Sequence, residues 1–311
     1  MKKGYRVLFI GLPMFAQRVA NDLTHFDPLN TYRNYDTYFS KRDKLRFISD
    51  LRKADLVYSI NGSALPSGVF SRVIKKGIPL VMHWVGTDVT SAIAAKNDGS
   101  FEKEQIEYAH HVVEAPWLKK ELTLVGIDAQ ILSQALQKII EQPEPFSSKF
   151  EILTYFGKGK EVFYGWERVK ALAEAMPDIR FNIVGSELKG METPTNVEVH
   201  GWVENMQKLL NRCQLTLRLT DHDGFANTVL ETLANGRYVL FTYQTPGVKK
   251  SEGFESDLKW IQDLAEKHSR SELNLNEEGR GFIRENFGSK LVLTKMREYI
   301  SSIIRTSDIV H

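Results

Sequence analysis

Short apolar runs of strand length alternate with helix-patterned segments along the first half of the chain. The apolar runs cover residues 6–10, 54–60, 79–83 and 111–114. Helix-patterned segments begin near residues 44, 67 and 101. This alternation is typical of a parallel sheet whose strands are joined by crossover helices. We therefore predict an α/β domain at the start of the chain.

The alternation breaks at residues 138–149, which contain Pro143 and Pro145, and then restarts. Further apolar runs cover residues 150–156, 179–184, 197–200, 215–219 and 238–242. We place a hinge in the proline-containing segment and a second Rossmann-like unit after it.

The predicted fold class is thus α/β, with two Rossmann-like domains facing a cleft. The first domain spans residues 1–140 and the second residues 141–289, and we expect the last helix, about residues 290–311, to pack back on the first domain. Ligands of such sheets bind at the carboxyl ends of the strands. The loops that follow strands are therefore the places to look for chemistry.

Composition narrows the classes of function and location. The 41 Lys and Arg residues nearly balance 39 Asp and Glu residues, so a net charge of +2 gives no electrostatic case for nucleic-acid binding. Cys213 is the only cysteine, which excludes an intrachain disulfide and fits a cytosolic setting. No run of about 18 apolar residues predicts a spanning helix, and peripheral contact with the inner face of a membrane stays open.

The most informative stretch is TDHDGFANTVLETLANG, residues 220–236. Apolar residues recur there at helical spacing and predict a packed stripe: Ala226, Val229, Leu230 and Leu233. A second face carries Asn227, Thr228 and Glu231 and can meet a ligand.

Two carboxylates, Asp223 and Glu231, flank the predicted helix start at Gly224. Unpaired amides at a helix start favour phosphate or developing negative charge. The alternative is that Asp223 only caps the helix and Glu231 is a solvated surface residue.

Cations follow the first strand of the second half. Lys158 and Lys160 lie in a glycine-rich loop and could form an anion clamp, although lysines in loops are usually solvated. Arg218, at the end of a later strand, is a further candidate, with a pair to a neighbouring aspartate equally open. A base or ribose could rest at the turn formed by Gly201 and Trp202, where a packed tryptophan is the commoner outcome.

Three residues at or after strand ends of the first half are candidate site residues: His83 as a catalytic residue, and Gly11 and Asn61 as residues that bind the acceptor. His83 ends a predicted strand and should point into the cleft, although a lone histidine is more often structural. Gly11 sits in a tight turn that suits an acceptor, without the full GxGxxG fingerprint of dinucleotide binding. Asn61 could bind an acceptor hydroxyl, and a plain loop is equally open.

Together these residues resemble the GT-B fold family of retaining glycosyltransferases that use nucleotide sugars. The family motif EGFG....E appears as Asp223-Gly224-Phe225-Ala226 closed by Glu231, with aspartate in place of the first glutamate. The resemblance implies that Asp223 contacts donor-sugar hydroxyls and that Glu231 accepts hydrogen bonds from the ribose. Backbone groups of Gly224 and Phe225 would flank the sugar. His83 is similar to a family histidine that approaches the donor sugar.

The chain departs from the family where an arginine and a lysine usually neutralise the donor diphosphate. It reads GKGKEVFYG, so that Lys158 matches the arginine, Tyr164 falls where the lysine is expected, and Lys160 could substitute. The resemblance implies glycosyl transfer with retention from a nucleoside diphosphate sugar to a sugar, lipid-linked or polysaccharide acceptor, without a metal or other cofactor. A nucleotide-sugar epimerase and an inactive sugar-nucleotide-binding scaffold remain alternatives.

Overall fold

A computed structural model describes residues 4–310 of the chain, with side chains to residue 307. The outer limits predicted for the domains, residues 1 and 311, lie outside the described residues. The strands are β1 Arg6–Gly11, β2 Thr31–Asn34, β3 Leu56–Ile60, β4 Leu80–Trp84, β5 His110–Val113, β6 Gln130–Ile131, β7 Glu151–Tyr155, β8 Arg180–Val184, β9 Val197–Gly201, β10 Leu215–Arg218, β11 Tyr238–Phe241 and β12 Lys249–Lys250.

Helices connect these strands and follow the last of them. They are α1 Pro13–Phe26, α2 Lys41–Asp50, α3 Gly68–Lys75, α4 Thr87–Asp98, α5 Lys103–Tyr108, α6 Pro116–Leu124, α7 Trp166–Ala175, α8 Met206–Arg212, α9 Asn227–Ala234, α10 Phe254–Ser269, α11 Glu277–Asn286 and α12 Ser289–Val310. A short 3₁₀ turn, Leu51–Lys53, follows α2.

The described chain divides into two compact units. Unit 1 contains residues 4–136 together with α12, and unit 2 contains Gln137–Gly288. Each unit has one six-stranded sheet in which all pairs are parallel. The predicted class, α/β with two Rossmann-like domains, is confirmed. The acceptor and donor roles assigned to the two domains stay predictions.

The sheet of unit 1 has the strand order β2-β1-β3-β4-β5-β6. Its central strands are buried on both faces, as expected for a parallel sheet covered by helices. One face packs with α1 and α12, since Val292, Met296 and Ile300 join the same core cluster as Val7 and Val81. The last helix therefore belongs to the core of the first unit.

The sheet of unit 2 has the strand order β12-β11-β10-β7-β8-β9. Its main core cluster joins Ile152, Leu217 and Leu240 of the strands to Trp166 of α7 and Ile261 of α10. The order reverses between β7 and β10, because the chain builds outward from β7 in one direction and then from β10 in the other. Ligands of doubly wound sheets bind at the carboxyl ends of the strands at such a reversal.

Candidate active site

The loops after β7 and β10 meet at the reversal of the unit 2 sheet. The Asp221 amide donates to the Phe163 carbonyl at 3.0 Å, and the Thr220 hydroxyl donates to the same oxygen at 3.2 Å. Gly165 fits closely here, because a Cβ on it would lie 2.2 Å from the Leu219 carbonyl oxygen. The loop with the lysines and the loop with Asp223 are therefore held side by side.

Asp223 forms an ion pair with Arg218, at 2.8 Å from Nε and 2.5 Å from Nη2. The guanidinium is 5% exposed, lies 4.4 Å from the centre of the Tyr164 ring, and donates to the Tyr155 carbonyl. The structure shows the alternative considered for Arg218, a pair with a neighbouring aspartate, and direct donor binding by Arg218 stays a prediction. Arg218 fixes the position of the Asp223 carboxylate.

Tyr164 occupies the position where a lysine is expected in the cationic loop, and a cation from another strand contacts its ring. The Arg218 guanidinium stacks on that ring, so positive charge reaches this part of the loop from β10 rather than from the loop itself. Sequence reasoning missed this contact because β7 and β10 are neighbours only in the folded sheet.

Gly224 does not open the helix, contrary to our expectation. Helix α9 begins at Asn227 after Ala226, and the Gly224 amide donates to Oδ1 of Asp223 at 3.0 Å. No side chain caps the helix start. Within residues 4–310, no hydrogen bond from the backbone N–H groups of Asn227 and Thr228 is found, so these amides, and not that of Gly224, are the unpaired groups at the helix start.

The apolar face predicted for α9 is confirmed at Val229, Leu230 and Leu233, which are buried, whereas Ala226 precedes the helix and is half-buried. Asn227, Thr228 and Glu231 are half-buried, and their contact with a ligand stays a prediction. The ring of Phe225 packs against Phe282 and Phe287, with centroids 6.1 and 5.1 Å away, so only its backbone can face a ligand.

Lys158 and Lys160 are exposed, and neither forms an ion pair within the described residues. Their loop is ordered by Glu161, which accepts hydrogen bonds from the Gly159 amide at 2.9 Å and the Ser186 hydroxyl at 2.5 Å. The hydrogen bond from Ser186 lowers the pKa of Glu161. The backbone is fixed while the two ammonium groups stay available for an anion.

The turn after β9 differs from expectation at Trp202. Gly201 has φ of 62°, and its carbonyl accepts from the Gly185 amide, which ties the ends of β8 and β9 together. The indole of Trp202 is 80% exposed instead of packed in a corner. The Trp202 side chain is therefore not part of the hydrophobic core clusters of unit 2.

His83 lies inside unit 1 and not at an exposed strand end, so its expected position is wrong. The ring is 0% exposed, and its Nδ1 is 2.9 Å from the Tyr58 hydroxyl. Burial lowers the pKa of His83 to about 3, so the ring is neutral near pH 7. On β4 it shares the face of Val81, which packs in the same core cluster as α12.

Gly11 and Asn61 lie at the reversal of the unit 1 sheet, after the adjacent strands β1 and β3. Gly11 has φ of 99°, and a Cβ there would meet the Ile60 carbonyl oxygen at 2.2 Å. Asn61 donates through Nδ2 to the Tyr38 hydroxyl at 3.3 Å and to the Gly62 carbonyl at 3.0 Å. A cavity of about 320 Å³ opens beside them, with Gly11 and Tyr38 in its wall.

Glu114 is a buried carboxyl group that sequence reasoning did not single out as an ionisable site. It follows β5, is 4% exposed, and is hydrogen-bonded by Gln134. Gln134 in turn accepts from Nη2 of Arg18 at 3.3 Å. Burial raises the pKa of Glu114 to about 8, so the folded protein holds a proton there at neutral pH.

We expect Glu114→Gln to stabilise the protein more at pH 8 than at pH 5. The unfolded carboxyl, with a pKa near 4.5, loses its proton as pH rises, whereas the folded one keeps it until about 8. Wild-type stability therefore falls between these values, and glutamine removes a penalty on the order of 2–3 kcal/mol at neutral pH. Urea unfolding at both pH values measures the gain, with exposed Glu104→Gln as the control. An equal change at both pH values would contradict this ionisation.

The described residues also bear on metal binding and on membrane insertion. Within residues 4–310 there is no group of three or more His, Cys, Asp or Glu residues that could hold a metal ion. Nor does that part of the chain contain a helix with the length and apolar character needed to cross a bilayer.

Most of the sequence of unit 2 matches the model of a known protein family. The family model described as Glycosyl transferases group 1 matches residues 151–268, which include both loops of the site. Residues 151–268 are therefore similar to group 1 glycosyltransferases. The resemblance predicted from the acidic motif is confirmed for this part of the chain.

Solved structures of glycosyltransferases with two Rossmann-like domains have a fold similar to that of this chain. HepE of Anabaena, in complex with UDP-glucose, has a TM-score of 0.67 at 11% identity, covering 96% of this chain and 99% of that one. Sucrose-phosphate synthase of Thermosynechococcus elongatus has a TM-score of 0.72 at 11% identity, with 97% and 100% covered. WaaB, a lipopolysaccharide outer core galactosyltransferase, has 0.62 at 15%, with 96% and 99% covered. No protein with a curated description matches the sequence.

Proposed function

We propose that this glycosyltransferase moves a glycosyl group from a nucleoside diphosphate sugar to an acceptor hydroxyl, with retention at the anomeric carbon. The observation that carries the proposal is the meeting of two loops at the β7–β10 reversal. The loop after β7 carries Lys158 and Lys160, which form no ion pair within the described residues, and the loop after β10 carries the ion-paired Asp223 and leads to the uncapped start of α9. HepE, with a similar fold, was solved with UDP-glucose, which supports a nucleotide-sugar donor.

The diphosphate is the leaving group, and its negative charge grows as the glycosidic bond breaks. Lys158, Lys160 and the amides of Asn227 and Thr228 would stabilise that charge through charge-assisted hydrogen bonds. These groups supply the positive charge within the protein, so the scheme contains no metal and no other cofactor.

Asp223 would orient the donor sugar by accepting hydrogen bonds from its hydroxyl groups. Its Oδ2 is held by Arg218 and its Oδ1 by the Gly224 amide, so the carboxylate has one fixed orientation. Each carboxylate oxygen can accept a further hydrogen bond beyond those contacts. A fixed acceptor of this kind holds the anomeric carbon in one position during transfer.

Glu231 would accept hydrogen bonds from the ribose, one turn along α9 from the phosphate-binding amides. We expect Glu231→Ala to weaken nucleoside diphosphate binding about tenfold to a hundredfold, since a hydrogen bond to a charged group is lost. Calorimetric titration measures the change, with exposed Glu285→Ala on α11 as the control. The wild type should prefer a ribonucleotide to its 2′-deoxy analogue, and a variant that keeps this preference would contradict the assignment.

Unit 1 would supply the acceptor, which we propose to be a sugar, a lipid-linked sugar or a polysaccharide. Gly11 lines the cavity at the reversal of its sheet, and Asn61 is hydrogen-bonded to Tyr38 of the cavity wall; ligands of such sheets bind at this place. His83 takes no part in this scheme, because its ring is enclosed.

Two experiments test the proposal. Incubation with isotope-labelled donors should give slow release of free sugar without acceptor and a glycoside with acceptor. NMR of that product should show the anomeric configuration of the donor; the opposite configuration would refute retention. Tight donor binding without release or transfer would instead favour an inactive scaffold that binds sugar nucleotides. That alternative arises because the loop GKGKEVFYG departs from the family pattern.

A further inference from the structure

The cavity of unit 1 has a wall rich in hydroxyl groups. The hydroxyl-bearing residues of its wall are Thr37, Tyr38, Ser59, Ser63 and Ser67. Its volume of about 320 Å³ falls at the lower end of ordinary small-ligand pockets and is large enough for a sugar residue. Such a wall suits a ligand with many hydroxyl groups of its own.

Several of these hydroxyls are held in place by the protein and keep capacity for a ligand. The Ser59 hydroxyl donates to the Asn61 carbonyl at 2.8 Å, and the Tyr38 hydroxyl accepts from the Asn61 side chain at 3.3 Å. Ser67 accepts from the Phe70 amide at the start of α3. A hydroxyl has one donor and two acceptor positions, so each of these groups can make at least one more hydrogen bond.

Lys44 is the only residue of the cavity wall that carries a formal charge at neutral pH, and the whole wall lies within the described residues. It forms no ion pair there. The adjacent carboxylate of Asp43 is paired with Arg46 at 3.1 Å, and Asp50 at the end of α2 is paired with Arg33 at 2.9 Å. Lys44 therefore lines a hydroxyl-rich cavity and forms no ion pair with a carboxylate of the described residues, while the nearby Asp88 carboxylate accepts hydrogen bonds from the amides of Gly62 and Gly86.

We propose that this cavity binds a saccharide acceptor bearing a carboxylate or phosphate group, and that Lys44 pairs with that group. The identity of this ligand as the acceptor rests on the proposed function; its chemistry rests on the cavity alone. The hydroxyl-bearing wall would hold the sugar ring, while Lys44 selects charged acceptors over neutral ones.

Matched pairs of probes test this selection in the full chain. Glucuronic acid and glucose 6-phosphate are each compared with glucose by NMR titration without donor, and the corresponding aryl glycosides are compared as acceptors. We expect a charged probe to bind at least about tenfold more tightly than glucose, and Lys44→Gln to abolish that difference while leaving the weak binding of glucose unchanged. The two charged probes separate a carboxylate from a phosphate.

The control is Lys41→Gln, an exposed lysine of the same helix outside the cavity wall. Equal binding of charged and neutral probes, or a preference that survives Lys44→Gln, would overturn the proposal. So would no binding of any probe at millimolar concentration. Nucleoside diphosphate binding is measured on the same samples: if it persists while the charged-probe preference is absent, the acceptor inference fails and the proposed function stands.

Discussion

Asp223→Ala is expected to lower kcat at least about a hundredfold and to reduce the free energy of unfolding by about 3 kcal/mol. The first effect follows from losing the fixed acceptor for the donor sugar. The second arises because Arg218, only 5% exposed, would keep a buried guanidinium without its carboxylate. Activity assays and urea unfolding measure the two effects separately.

Asp221 gives a matched control two residues away. It pairs with Arg168 at 3.3 Å, and both side chains are largely exposed, so Asp221→Ala should change stability by less than about 1 kcal/mol. Asp223→Asn keeps the shape of the carboxylate and should lose less stability than Asp223→Ala while remaining impaired in transfer. Similar losses from Asp221→Ala and Asp223→Ala would show that the Asp223–Arg218 pair has no special role.

Removing both cations of the loop after β7 is expected to have the other large effect. The double variant Lys158→Ala, Lys160→Ala should lower kcat by about a hundredfold to a thousandfold or more, because charge on the departing diphosphate loses its main stabilisation. Stability should change little, since both side chains are exposed and form no ion pair in the described part of the chain. Steady-state assays with a saturating donor measure the loss.

The single variants show whether Lys160 substitutes for the family lysine. If both ammonium groups contact the diphosphate, each single variant should lose activity. If Lys160 is only solvated, its variant should match Lys208→Ala, a change of an exposed lysine on α8. A double variant that retains activity within about threefold of the wild type would rule out the lysine clamp and leave α9 as the anion site.

The central strands of both sheets could be predicted because buried parallel strands read as continuous apolar runs. The outer strands β2, β6 and β12 were not predicted, because they are short and partly exposed. Helix α9 could be predicted for the same reason, since its buried stripe repeats at helical spacing. The helix α1 was not predicted: the turn at Gly11 and Pro13 gave the stronger local signal, although Pro13 in fact occupies the first turn of that helix.

What the sequence did not reveal depends on contacts between distant segments. His83 is fully buried, and its ring contacts Tyr58 of β3 and the backbone of Leu132, both distant from it in the sequence. The stacking of Arg218 on Tyr164 depends on β7 and β10 being neighbours. The start of α9 at Asn227, three residues beyond Gly224, depends on backbone angles at Ala226 that residue type does not fix.

The most direct test of a nucleotide-sugar site at the β7–β10 reversal is calorimetric titration of the full chain with a panel of nucleoside diphosphates and their sugars. We predict binding of at least one pair with 1:1 stoichiometry, weakened by Glu231→Ala and by the double lysine variant but not by Lys208→Ala. Absence of binding across the panel, or binding that these variants leave unchanged, would contradict the site.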